Sequence, residues 1–136
     1  MYKRQDQDGV VEFAVQQGGT YLWGGEISRE PKRLFQIQMP EKARWISFRP
    51  NGDGVNVSRD GIGTKFAVTV VNAAGEEWTV HKKLYGGVGF SGSNGMDVYV
   101  GLKDAVDIVS VDILWPDGTT ASMDDVELDQ RIVVER

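Results

Sequence analysis

The 136-residue chain contains no cysteine and one histidine, His81. Disulfide scaffolds, thiol nucleophiles and Cys/His zinc sites are therefore excluded, and a serine–histidine–aspartate triad would have to use His81. Only 4 prolines accompany 17 glycines, and no G-X-Y period runs through them, so collagen is excluded and many tight turns are implied. No stretch approaches the roughly 18 consecutive apolar residues of a membrane-spanning helix, so membrane insertion is not expected. Positive charge is scarce too. With 15 Lys and Arg against 20 Asp and Glu the formal net charge is -5, which repels a phosphate backbone and argues against nucleic acid as a partner. What remains, 40% hydrophobic and 26% charged residues, suits one globular domain that buries roughly two thirds of its unfolded surface.

Two-residue alternation recurs along the chain, and no window carries an i, i+3, i+4, i+7 stripe, so the sequence reads as all-β. The clearest strand is 108–115, where Val109, Val111, Ile113 and Trp115 should share one face and Ser110, Asp112 and Leu114 a wet one. Similar runs lie at 10–15, 33–38, 43–49, 64–72, 77–85, 96–102 and 131–135, with Gly, Asn, Asp and Pro between them. The pattern predicts an antiparallel β-sandwich with short Gly/Asn/Asp-rich turns. Pro116-Asp117-Gly118 predicts a turn that returns 119–122 as a hairpin, and 123–126 is expected to add one helical turn. Gly18-Gly19 and Gly24-Gly25 bracket Tyr21-Leu22-Trp23 ahead of the charged stretch 26–33, which places a linker there. The glycine- and asparagine-rich loop 50–63 is internal to the domain, because β-pattern resumes on both sides.

Several motifs fail on context. Gly87-Val88-Gly89-Phe90-Ser91-Gly92 spells G-x-G-x-x-G, but Ser93-Asn94-Gly95 cannot begin the helix that a pyrophosphate site needs. Gly89-Phe90-Ser91-Gly92-Ser93 lacks the last glycine of a nucleophile elbow. His81 sits in an alternating run with Trp78, Val80 and Leu84 and reads as a half-exposed strand histidine. Asp104, Asp107, Asp112, Asp117, Asp124, Asp125, Glu127 and Asp129 fall in turns or on polar strand faces, which reads as a solvated acidic surface, with a weak calcium site as the alternative. Asn56-Val57-Ser58 is a glycosylation sequon that has meaning only in a secreted protein.

The N-terminal spacing is more specific. Counted from Arg4, the run to Glu12 sets Asp6, Asp8 and Glu12 at positions 3, 5 and 9, Gly9 at 6 and the Val10 carbonyl at 7, the ligand order of a D-x-D-x-D-G calcium loop. Arg4 stands where the first aspartate belongs. Met1-Tyr2-Lys3-Arg4-Gln5 resembles the translation of a transposon-end sequencing adapter, so residues 1–5 are expected to be adapter-derived and the chain to be a metagenomic fragment. The missing signal peptide then carries no information about location. Calcium is expected in the intact parent protein and not in this incomplete loop.

Asp6-Gln7-Asp8-Gly9-Val10-Val11-Glu12-Phe13 resembles the end of an FG-GAP or VCBS repeat, a blade of integrin-like β-propellers. Ser58-Arg59-Asp60-Gly61-Ile62-Gly63-Thr64-Lys65-Phe66 is similar to the signature of the ASPIC/UnbV domain of cartilage acidic protein and bacterial relatives. Gly89-Phe90-Ser91-Gly92-Ser93, Val98-Tyr99-Val100-Gly101-Leu102, Val111-Asp112-Ile113-Leu114-Trp115-Pro116-Asp117-Gly118 and the close at 126–134 resemble its later blocks, so the resemblance covers roughly 43–136. It implies a propeller-blade remnant at 6–25 and an ASPIC/UnbV sandwich at 30–136, in a secreted or cell-surface bacterial protein. It brings no catalytic residue, and the signature glycines are expected to serve turn geometry. The leading expectation is a non-catalytic binding or adhesion module for a surface glycan or an extracellular protein, acting through the loop 85–94 with Tyr85, Phe90, Ser91 and Asn94. The alternatives are a structural cap on the parent's own propeller, with Tyr21, Leu22, Trp23 and Trp45 as its sticky patch, and, more distantly, a carboxylate-based glycosidase.

Overall fold

A computed structural model of the chain describes residues 12–15, 33–36, 43–87 and 95–136. Contacts divide the chain into two units, Met1–Pro40 and Glu41–Arg136. In the first unit, β1 (Glu12–Val15) pairs antiparallel with β2 (Arg33–Gln36), Phe13 opposite Phe35. The linker expected at 26–33 lies largely outside the described residues, and the strand placed after it pairs with the one placed before it.

The second unit holds β3 (Arg44–Asn51), β4 (Lys65–Asn72), β5 (Glu77–Lys83), β6 (Val98–Lys103), β7 (Ala105–Leu114), β8 (Thr120–Met123) and β9 (Gln130–Glu135). They form a three-stranded sheet in the order β6-β3-β9 and a four-stranded sheet in the order β5-β4-β7-β8. Period-two alternation explains the packing, because it gives each sheet one apolar face. Ile46 and Phe48 of β3 and Val98, Val100 and Leu102 of β6 meet Phe66, Val68 and Val70 of β4 and Val111 and Ile113 of β7 in one buried cluster. Phe48 and Phe66 stack between the sheets with ring centroids 4.6 Å apart and planes 9° from parallel. The expected all-β sandwich is borne out.

One pairing within it is parallel, between β3 and β9. Asp129 sets it up. Its N–H donates to the Trp45 carbonyl at 2.7 Å, its Oδ1 accepts the Trp45 N–H at 3.0 Å, and its Oδ2 lies 2.8 Å from Arg44 Nε. These three contacts fix where β9 begins against β3, so that Ile46 lies opposite Gln130. The left-handed backbone of Asp129, at φ 61°, turns the chain into that register.

Two local expectations are corrected. The helical turn at 123–126 does not form, because β8 runs to Met123 and Asp125 takes a left-handed φ of 55° that ends any right-handed turn. Val109 does not share the face of Val111, Ile113 and Trp115. Thr69 lies opposite Ser110 but Val70 lies opposite Ile108, so a bulge inserts Val109 as an extra residue and reverses the alternation before it. Ile108 is consequently buried and Val109 45% exposed. The hairpin between β7 and β8 forms as expected, closed by Trp115 N–H donating to the Thr119 carbonyl at 2.9 Å, with Gly118 at φ 87°.

Candidate functional site

The loop 52–64 is held from within by short-range polar contacts. Asp53 Oδ1 accepts the N–H groups of Val55, Asn56 and Val57 at 2.9, 2.8 and 2.9 Å, and its Oδ2 accepts Asn56 Nδ2 at 3.0 Å. The Val57 and Val55 N–H groups, followed by the Asn56 amide, hold the Asp53 carboxyl far below the usual carboxylate range. Further along, Asp60 pairs with Arg49 of β3 at 3.1 Å. Gly61 stands at φ 61° where a Cβ would meet Pro50 Cβ at 2.8 Å, so both the backbone angle and the space demand glycine. Its carbonyl accepts the buried Thr64 hydroxyl at 2.6 Å. The segment Asp60-Gly61-Ile62-Gly63-Thr64 thus anchors the loop to β3 and delivers the chain into β4.

β4 and its neighbours carry an open trough of about 950 Å³ on the side of the four-stranded sheet away from the core. Register aligns its residues in rows. His81, Ala67, Asp112 and Ser122 are successive partners across β5, β4, β7 and β8, and Lys83, Lys65, Leu114 and Thr120 form the next row. Ala67 leaves the middle low while His81 and Asp112 stand on either side. Beyond them the Thr69 and Thr79 hydroxyls bond each other at 2.9 Å. Tyr85 lines the trough, 58% exposed, with Lys83 Nζ 5.3 Å from its ring centroid.

The row contains a histidine, an aspartate and a serine, but not as a catalytic triad. Three strand spacings of about 4.8 Å separate His81 from Ser122, roughly 14 Å, and Asp112 neighbours the serine instead of the histidine. Asp112 is the one carboxylate among the described lining residues. The trough can hold a ligand through ammonium groups, hydroxyls and an aromatic ring.

The sequence model of the family described as ASPIC and UnbV matches residues 52–136. The chain belongs to the ASPIC and UnbV family. No curated protein and no solved structure matches it. The matched ASPIC and UnbV region contains the loop 52–64 and the whole four-stranded sheet with its trough. Within it, the signature residues Asp60, Gly61 and Thr64 serve loop geometry, as expected for its glycines.

Of the binding residues expected from the sequence, Tyr85 lines the trough, while Phe90, Ser91 and Asn94 lie outside the described residues. Asp6, Asp8 and Val10 of the calcium loop also lie outside them, and Glu12 is described as the first residue of β1. Among the described residues no group of three or more His, Asp or Glu side chains could hold a metal ion. The acidic C-terminal third is dispersed accordingly. Asp117 turns to Arg136, Asp129 to Arg44, and Asp112 to the trough. The Arg136 guanidinium, then the Thr119 hydroxyl, lowers the Asp117 carboxyl from its ordinary range. Of the apolar patch expected for a cap, Tyr21, Leu22 and Trp23 lie outside the described residues and Trp45 is half-buried.

Lys65, Lys83, His81, Asp112 and Ser122 were not singled out as a site by sequence reasoning. The signal was available in part, since 65–69 and 79–83 put Lys, Ala, Thr and Thr, His, Lys on alternate positions. Only register brings the two sets together.

Proposed function

We propose that this ASPIC and UnbV domain is a non-catalytic binding module whose ligand lies in the trough on the four-stranded sheet. The observation that carries the reading is the trough itself, an open concavity with a small floor at Ala67 and hydroxyl, cationic and aromatic groups around it. The separation of His81 from Ser122 and the single lining carboxylate favour binding over hydrolysis. Tyr85 is the residue that the proposed surface shares with the loop 85–94 expected from the sequence. The wider setting is proposed from the N-terminal resemblance: a secreted or cell-surface bacterial protein in which a calcium-binding propeller precedes this module, and a surface glycan or extracellular protein as the partner.

A glycan array probed with the full chain tests the reading. Binding to a defined set of glycans that is lost in Tyr85→Ala and Ala67→Arg, with the fold intact by circular dichroism, is expected. Undiminished binding in both variants would remove the trough from the account.

A further inference from the structure

We infer that the trough takes an anionic polysaccharide, a sugar chain bearing carboxylate or sulfate groups; this rests on the binding-module reading above and names its ligand class. Lys65 and Lys83 are direct cross-strand partners. Like charges placed opposite one another on a sheet destabilise it, so this pair costs the free domain stability. The Tyr85 ring centroid lies 5.3 Å from Lys83 Nζ, but no carboxylate among the described residues neutralises the pair. Arg44, Arg49, Arg131 and Arg136 each have a carboxylate partner within 4 Å, whereas among the described residues neither lysine has one. The protein carries a net charge of -5, yet on the outward face the trough sets Lys65 and Lys83 against Asp112 among the described lining residues. Two facing lysines without a carboxylate partner, set in a concavity of an acidic protein, fit an anion.

A sugar chain is favoured over an acidic peptide by the placement of the trough. Peptides that join sheets do so along edges, where backbone groups are free, and the floor here is the face of two inner strands whose backbone groups are committed to ladder pairing. A face offers side chains only. Ser122 and Thr120 supply hydroxyls to sugar hydroxyls, and the exposed Tyr85 ring offers a stacking surface.

The inference predicts effects of opposite sign from one substitution. Lys65→Thr or Lys83→Thr removes the repulsion and raises the melting temperature, while weakening binding of polygalacturonate or dextran sulfate by about three- to tenfold. The control Arg59→Gln changes charge equally at a surface site away from the trough and leaves both unchanged. Binding should fade toward 1 M salt, where the screening length is about 3 Å. The two polymers separate carboxylate from sulfate as the recognised group; neutral dextran and poly-glutamate complete the set. Equal binding of poly-glutamate would overturn the assignment to sugars, and binding of neutral dextran alone would overturn the anion while leaving the module. Polyanion binding unaffected by both lysine substitutions would overturn the site. If the chain binds none of these polymers and no glycan on the array, both this inference and the module reading fail.

Discussion

The two sheets of the sandwich treat charge in opposite ways. On and around β6-β3-β9 the arginines are paired: Arg49 with Asp60, Arg131 with Asp97 and Arg44 with Asp129, while Asn51 Nδ2 donates to Glu135 at 2.9 Å. Ser47, which points away from the core on that sheet, is fully buried. On β5-β4-β7-β8 the outward rows mix hydroxyls, His81, Asp112 and Leu114, and two lysines face each other without a carboxylate partner. Charges that anchor loops and set register are neutralised, whereas the Lys65–Lys83 pair in the trough has no carboxylate partner among the described residues. Under the proposed function, fold maintenance and ligand recognition fall to different faces of one small domain.

The comparison can be broken at its shared middle. Phe66→Ala removes the ring that stacks on Phe48 and should cost about 3–5 kcal/mol, abolishing cooperative melting and ligand binding together. Gly61→Ala is the next largest. It forces a Cβ toward Pro50 at a left-handed φ and should cost about 1–3 kcal/mol in chemical denaturation, loosening the loop and leaving the trough residues in place.

Acid titration sharpens the account of that loop. The folded Asp53 carboxyl is depressed below its unfolded value, so its contribution is fully present above the ordinary carboxylate range and is lost as pH falls through that range toward the folded value. Asp53→Ala should lower the melting temperature at neutral pH and flatten its fall in acid; an unchanged acid limb would contradict the loop's hydrogen-bond scheme. The smallest effect is expected from Lys83→Thr, which should stabilise the free domain by about 0.2–1 kcal/mol in urea unfolding.

Much of this architecture was legible before any coordinates, and the exceptions have physical causes. Alternation located β3 to β7 and β9 because each sheet buries one face, and Pro116-Asp117-Gly118 announced the hairpin to β8 through turn chemistry. Val109 was misread because a bulge depends on a partner strand, and apolar residues at 108, 109 and 111 satisfy either phase. Asp125 ended an expected helical turn through a left-handed angle that aspartate tolerates and composition does not mark. The parallel pairing of β9 rests on contacts between Asp129 and Trp45, 84 residues apart. Of the trough, Tyr85 was visible as an aromatic in a glycine-rich context, but the rows through Lys65 and Ala67 exist only once β4 lies between β5 and β7.

The most direct test of the division between the two faces is an amide chemical-shift titration of the full chain with a sulfated or uronate oligosaccharide. The account predicts perturbations concentrated at Lys65, Ala67, His81, Lys83, Asp112 and Ser122, with Arg49, Arg131 and Glu135 unmoved. Perturbations centred on the three-stranded sheet, or binding that shifts neither face, would contradict it.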